Sequence, residues 1–146
     1  MGFKFLGNLL SENCKITRVS SAQGGATSAV NSASVDMAGF RGVMFVASLG
    51  TPAADNIMNA AQSADDSSFA DLEGSAVDVG TSDDVQWSDI YDPTYRYVGV
   101  EFVRGTSSTI EAVYAIQYDP RDLPVSNVTS GTINGVALVN PDEGTA

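Results

Sequence analysis

The stretch Arg96–Val125, RYVGVEFVRGTSSTIEAVYAIQYDPRDLPV, constrains the fold more than any other part of the chain. Val98, Val100 and Phe102 alternate with Gly99, Glu101 and Val103, the period-two pattern of a half-buried strand. Gly105-Thr106-Ser107-Ser108 reads as a turn. Ile110, Ala112, Tyr114, Ile116 and Tyr118 make a second alternating face, rich in β-forming residues. Asp119-Pro120 ends it, because proline has no N–H for a ladder. Two strong strands in succession predict an all-β protein.

The remaining segments extend that reading. Lys15–Ser20 predicts a first strand, and the Ser/Ala/Gly-rich stretch 20–34 a loop or a flat strand. Phe40–Leu49 holds four consecutive apolar residues, Val43 to Val46, and predicts a central strand buried on both faces. Ile57–Ala64 fits either a helix or a short strand. Asp65–Gly74 reads as an acidic loop anchored by Phe69 and Leu72. Short strands follow over Ala76–Val79 and Val85–Ile90, separated by a turn at Gly80–Asp84 and closed by Asp92-Pro93-Thr94. Asn134-Gly135 between apolar residues is a strong hairpin signal. About seven to nine short strands with regular turns predict an antiparallel β-sandwich, jelly-roll-like, with extended N- and C-terminal arms. The expected division is an N-terminal arm over 1–14, the sandwich over 15–125, and a C-terminal hairpin and tail over 126–146.

Composition narrows the chemistry. A chain of 146 residues suits one domain. It has no histidine, so a Ser-His-Asp or Cys-His mechanism within one subunit is excluded, as is the usual pH switch. Cys14 is the sole cysteine, so neither an internal disulfide nor a thiolate metal cluster can form in one chain. The net charge of −11 repels phosphate backbones, and no direct nucleic-acid binding is expected. Ten acidic residues and no basic one lie between Arg41 and Arg96. That interval reads as a solvated outer face, or as a docking surface for a basic partner. No apolar run approaches the ~20 residues of a membrane-spanning helix. The N-terminus lacks the apolar core of a signal peptide, so neither secretion nor a membrane anchor is expected. Without that route the sequon Asn127-Val128-Thr129 is a chance match.

Candidate reactive groups are few. Glu101 and Glu111 fall on strands read as neighbours, and a glycosidase uses two carboxylates at a set separation, but both alternate opposite the apolar face. Asp65-Asp66 with Asp71 and Glu73 could form an oxygen-ligand calcium loop, but their spacing does not match the EF-hand pattern. Gly24-Gly25 lacks the lysine of a phosphate loop. Trp87, Tyr91, Tyr95 and Tyr97 cluster near one turn, as core or interface anchors or as a platform for stacking sugars. Arg96 is expected to pair with Asp89 or Asp92, or to stack on a ring. The reading predicts no enzyme, no cofactor and no metal site.

VMFVASLG (43–50), SADDSSFADLEGS (63–75), DIYDPTYRYV (89–98) and YAIQYDPRDLPV (114–125), with the NPDEGTA ending, resemble small tailed-bacteriophage head decoration (cement) proteins. The resemblance runs from near Ser34 to the C-terminus. It implies a structural virion protein, a homotrimer on the capsid surface, made in the host cytoplasm, that stabilises the shell by binding the major capsid protein lattice. The arms would then supply contacts: Phe3, Phe5, Leu9 and Leu10 from the first, and Arg121, Leu123, Pro124, Val125, Ile133 and Val136 around the second. Leu123 and Val125 could instead finish the domain's own core. The alternatives are a phage surface glycan-binding module using Trp87 and the tyrosines, and a tail or neck structural subunit.

Overall fold

A computed structural model describes residues 9–129, 131–139 and 141–145. Phe3 and Phe5 lie outside them. The chain is an all-β, antiparallel sandwich. One sheet (sheet A) contains β1 (Lys15–Ser20), β2 (Gln23–Ala26), β5 (Phe40–Thr51), β9 (Val85–Tyr91) and β11 (Ser108–Pro120). The other (sheet B) contains β3 (Val30–Asn31), β4 (Val35–Asp36), β6 (Asn56–Ser63), β7 (Ala70–Asp71), β8 (Val77–Val79) and β10 (Tyr97–Arg104). A four-residue helix, α1 (Leu10–Asn13), precedes β1.

The order in sheet A is β1-β11-β5-β9, with β2 also on β11; in sheet B it is β3-β10-β6-β7, with β4 on β10 and β8 on β6. The short pairs β1/β2, β3/β4 and β7/β8 each act as one interrupted strand. Eight strands then remain, ordered first-eighth-third-sixth and second-seventh-fourth-fifth. This is jelly-roll order.

The ambiguous segment 57–64 is a strand. β6 lies between β10 and β7/β8 and is buried on both sides, so the small residues Ala60 and Ala61 serve tight packing. β5 is central, but only one of its faces is fully buried. Val43, Phe45, Ala47 and Leu49 point into the core, whereas Met44, Val46 and Ser48 are half-buried on the outside. The inner row meets Val113 and Ala115 of β11, Met58 and Ala60 of β6, and Val98, Val100 and Phe102 of β10.

Three further expectations are corrected. The strands of 96–125 are not partners: β10 belongs to sheet B and β11 to sheet A, so the turn at 105–107 carries the chain across the sandwich. The alternating face expected of β11 is also interrupted. Ile110 pairs with Leu49 but Ala112 pairs with Ser48, so Glu111 is an extra residue, a β-bulge. A one-residue slip exchanges the faces. Ile110 stays inside, Val113, Ala115 and Gln117 follow it inward, and Tyr114, Ile116 and Tyr118 move to the outer face.

The third correction is at the C-terminus. Asn134-Gly135 makes no hairpin; the turn forms earlier, where Thr129 pairs with Ile133 and Gly131 has φ 76°. The Asn134 side chain instead accepts the Gly135 N–H at 2.9 Å, and among the described residues Val136–Val139 have no strand beside them.

Candidate interaction face

The bulge at Glu111 sets the character of the outer face of sheet A. Cross-strand partners share a face. The rows are Ile16–Ile116–Met44–Asp89, then Arg18–Tyr114–Val46–Trp87, then Tyr118–Gly42–Tyr91. Trp87 is 61% exposed, Val85 55%, Tyr91 49% and Tyr114 42%. β9 inverts the usual pattern, since its polar Gln86 and Ser88 are buried while its apolar Val85 and Trp87 face solvent. Contiguous apolar surface of this kind marks interaction sites.

One corner of the face is ordered by charge. Tyr91 and Tyr118 stack with ring centroids 6.1 Å apart. The Tyr91 hydroxyl donates to Asp119 at 2.6 Å and the Tyr118 hydroxyl to Asp89 at 2.7 Å. Arg41 lies 5.0 Å over the Tyr91 ring and makes a two-pronged contact with Asp92, at 3.0 and 2.6 Å. Asp92 and Asp119 both have φ 51°, the left-handed region that aspartate tolerates better than most residues. The Arg41 guanidinium holds the Asp92 carboxyl below its ordinary range. The Asp119 hydrogen bond raises the Tyr91 phenol. Burial, then the Asp89 hydrogen bond, pushes the Tyr118 phenol up to about 12.

Gly42 makes this corner possible, because a Cβ there would fall within the Tyr118 ring. Gly42→Val is therefore expected to eject the ring and return the Tyr118 phenol toward the ordinary value of 10.0, read by ultraviolet titration. The linkage has a definite sign. A phenol raised in the folded state contributes stability that is fully present below its unfolded value and is lost as pH rises toward the folded one. The wild-type chain should thus lose stability between about pH 10 and 12, and Gly42→Val should lose less of it across that window. An identical Tyr118 titration in both proteins would refute the assignment.

The other singled-out residues fall in different places. Glu101 and Glu111 are on different sheets. Glu101 lies level with Asn31 and Asn59, whereas Glu111 accepts the Ser48 hydroxyl at 2.7 Å, so they do not form a carboxylate pair. Arg96 pairs with neither Asp89 nor Asp92. It grips Asp36 at 2.8 and 2.7 Å, because β4 pairs with β10 and brings Asp36 opposite Tyr97. Its guanidinium also lies 5.5 Å over the Tyr97 ring.

Asp65 receives the Ser63 hydroxyl and the Ser67 and Ser68 amides, and these bonds hold its carboxyl well below the usual range. Asp71 receives Asn59 at 2.9 Å. Among the described residues no three metal-ligating side chains converge. Leu72 packs at the core margin, but Phe69 is exposed and is no anchor.

Of the residues expected at an interface, Leu10, Arg121, Leu123, Pro124 and Val136 are exposed, and Leu9, Val125 and Ile133 are half-buried. Neither Leu123 nor Val125 belongs to the core cluster. Val128, Leu138 and Val139 add further exposed apolar side chains along the same segment.

Two residues without an assigned role in the sequence join distant parts of the chain. Arg104 is 5% exposed and donates to the carbonyls of Ser28, Gly24 and Ser108 at 2.7, 2.9 and 2.8 Å, and to the Ser28 hydroxyl at 3.1 Å. It continues the inward parity of Val98, Val100 and Phe102, and a cation in that register was its only signal. Asn127 accepts the Ile16 N–H at 2.7 Å and donates to the Ser11 and Cys14 carbonyls at 2.8 and 2.6 Å. Nothing local marks it.

No family model matches the chain, and no curated protein or solved structure matches it significantly.

Proposed function

We propose that this chain is a structural virion protein that decorates and stabilises a phage capsid by binding the major capsid protein lattice as a homotrimer. The observation that carries the reading is the outer face of sheet A, where Ile16, Val85, Trp87, Tyr91 and Tyr114 are all exposed on a rigid sandwich. The resemblance in sequence supplies the identity of the partner. The exposed apolar side chains of the C-terminal segment, Val136, Leu138 and Val139, support a second contact.

Such a protein works by mass action. If it binds the assembled shell and not the free subunits, it stabilises the shell by the free energy of that binding. Cryo-electron microscopy of the parent particle tests the placement and the copy number. Density at the neck or tail would support the tail-subunit reading instead.

A chain ending at Ile133 keeps the Asn127 contacts and is expected to stay folded while its capsid occupancy falls at least tenfold. Unchanged occupancy would remove the C-terminal segment from the contact. A second reading rests on Trp87, whose exposure beside Tyr114, across Val46, would suit a stacking platform for a glycan. Specific binding of the isolated protein on a glycan array, abolished by Trp87→Ala, would favour it.

A further inference from the structure

The free edge of sheet A leads to a distinct site. Among the described residues β9 pairs only with β5, in unbroken register. Asp92 N–H donates to the Arg41 carbonyl at 2.8 Å and Leu49 N–H to the Asp84 carbonyl at 2.9 Å. Backbone groups alternate sides along an antiparallel ladder. Gln86, Ser88 and Ile90 therefore face β5, and Val85, Trp87, Asp89 and Tyr91 turn their N–H and C=O groups to the open side. Within β9 that edge carries no bulge, proline or lysine, and its one charged side chain is Asp89.

A groove of about 830 Å³ runs along the whole edge, and Leu72, Val77 and Asp78 line it from sheet B. Glu73, Asp78, Asp83, Asp89 and Asp92 line it as well, and no lysine or arginine does. Arg41 neutralises Asp92, and no salt bridge reaches the other four among the described residues. The groove also holds an unmet acceptor. Gln86 is 4% exposed; its amide N–H donates to the Asp78 carbonyl at 2.9 Å, and its Oε1 is buried with no partner.

We propose that β9 receives an extended, basic segment of a partner protein by β-strand addition. The backbone of that segment pairs with Val85, Trp87, Asp89 and Tyr91. Alternation then sorts its side chains. One set lies on the outer face beside Val85, Trp87 and Tyr91 and is apolar. The other enters the groove, where lysine or arginine meets Glu73, Asp78 and Asp83. A second copy is a poorer occupant, because two β9 edges would bring both carboxylate sets together in a chain of net charge −11. The site does not depend on any placement on a particle, so it can fail while the cryo-electron microscopy result stands.

The test uses the full chain and three capped nine-residue peptides: alternating Val and Lys, alternating Val and Glu, and the Val/Lys peptide N-methylated at alternate residues. Trp87 is the only tryptophan, so its fluorescence reports occupancy directly. The Val/Lys peptide is expected to bind at least tenfold more tightly than either control. It should slow amide exchange at least tenfold at Val85, Trp87, Asp89 and Tyr91 relative to Gln86, Ser88 and Ile90. Reversing charge with Glu73→Lys and Asp78→Lys together should cost at least tenfold in affinity, with far-ultraviolet circular dichroism confirming the fold. Equal binding of all three peptides, or none at millimolar concentration, would overturn the proposal. So would edge amides already protected without peptide, whether the protection rises with protein concentration (a second copy) or vanishes on deleting residues 1–8 (the chain's own segment).

Discussion

Arg104→Leu is expected to lower stability by about 3–5 kcal/mol, although the substitution places an apolar side chain at a buried site. Replacing a buried ion pair with apolar residues is often neutral or stabilising, because both charges leave together. Arg104 differs, since its main acceptors are the backbone carbonyls of Gly24, Ser28 and Ser108, which no mutation removes. Ser108 is buried, so its carbonyl left without a donor costs about 1–3 kcal/mol. Gly24 and Ser28 are exposed residues whose carbonyls can turn to water, and there the loss is that of the charge-assisted bonds, about 1.5–3 kcal/mol each. Gly24 lies in β2, Ser28 in the connection from β2 to β3, and Ser108 at the start of β11. Their common donor closes one end of the sandwich.

Arg104→Lys should be intermediate, because a single ammonium cannot spread its donors as the planar guanidinium does. Urea unfolding measures this: with a slope of about 1–3 kcal/mol per molar, the Leu variant's midpoint should fall by at least about 1 M. A midpoint within experimental error of wild type would show that the carbonyls find water at no cost.

The second large effect is expected at Asn127. Its side chain and the Val125 N–H, which donates to the Glu12 carbonyl at 2.8 Å, join the chain beyond β11 to α1 and the start of β1. Asn127→Ala removes three hydrogen bonds, each worth about 1 kcal/mol net, so a loss of about 2–3 kcal/mol is expected. Asn127→Asp gives a sharper test. A carboxylate still accepts the Ile16 N–H, but it has no donor and sets a negative charge against the Ser11 and Cys14 carbonyls. Asp should therefore be worse than Ala, despite its closer shape. Thermal unfolding ranks the variants, and amide exchange at Ile16 should accelerate in Ala more than in Asp. Asp as stable as wild type would mean that the two carbonyl contacts contribute nothing. The same three bonds bear on the sequon, since a glycan on Asn127 would have to displace them.

Much of the fold was legible from local pattern. Val98, Val100 and Phe102 alternate as expected and are all buried. Lys15–Ser20, Phe40–Leu49, Ala76–Val79 and Val85–Ile90 become strands, within a residue or two at most ends. The apolar residues of β9 read equally well as core or surface, because alternation says that two faces differ and not which is inside. Val85 and Trp87 are exposed because their parity in β9 puts them on the outer face of sheet A, while Gln86 and Ser88, of the opposite parity, are buried on the inner face.

β11 shows the same limit. Nothing in TSSTIEAVYAIQYDP announces that Glu111 bulges, because a bulge is a mismatch in count between two strands and exists only once β5 lies alongside. The Asn134-Gly135 signal failed for a related reason. A turn sequence makes a hairpin only if the flanking residues find each other, and among the described residues Val136–Val139 pair with no strand.

The amino-acid sequence by itself determined an all-β chain, its principal strands, its acidity and the absence of histidine chemistry, because alternation, charge and residue inventory are local properties. Tertiary structure decided that β10 and β11 lie in opposite sheets, that a bulge brings Tyr114 and Tyr118 to the face of Trp87, and that Arg104 and Asn127 tie separate segments together. Those outcomes depend on which strand lies beside which, and pairing across many residues is set by the burial and hydrogen bonding of the whole sandwich.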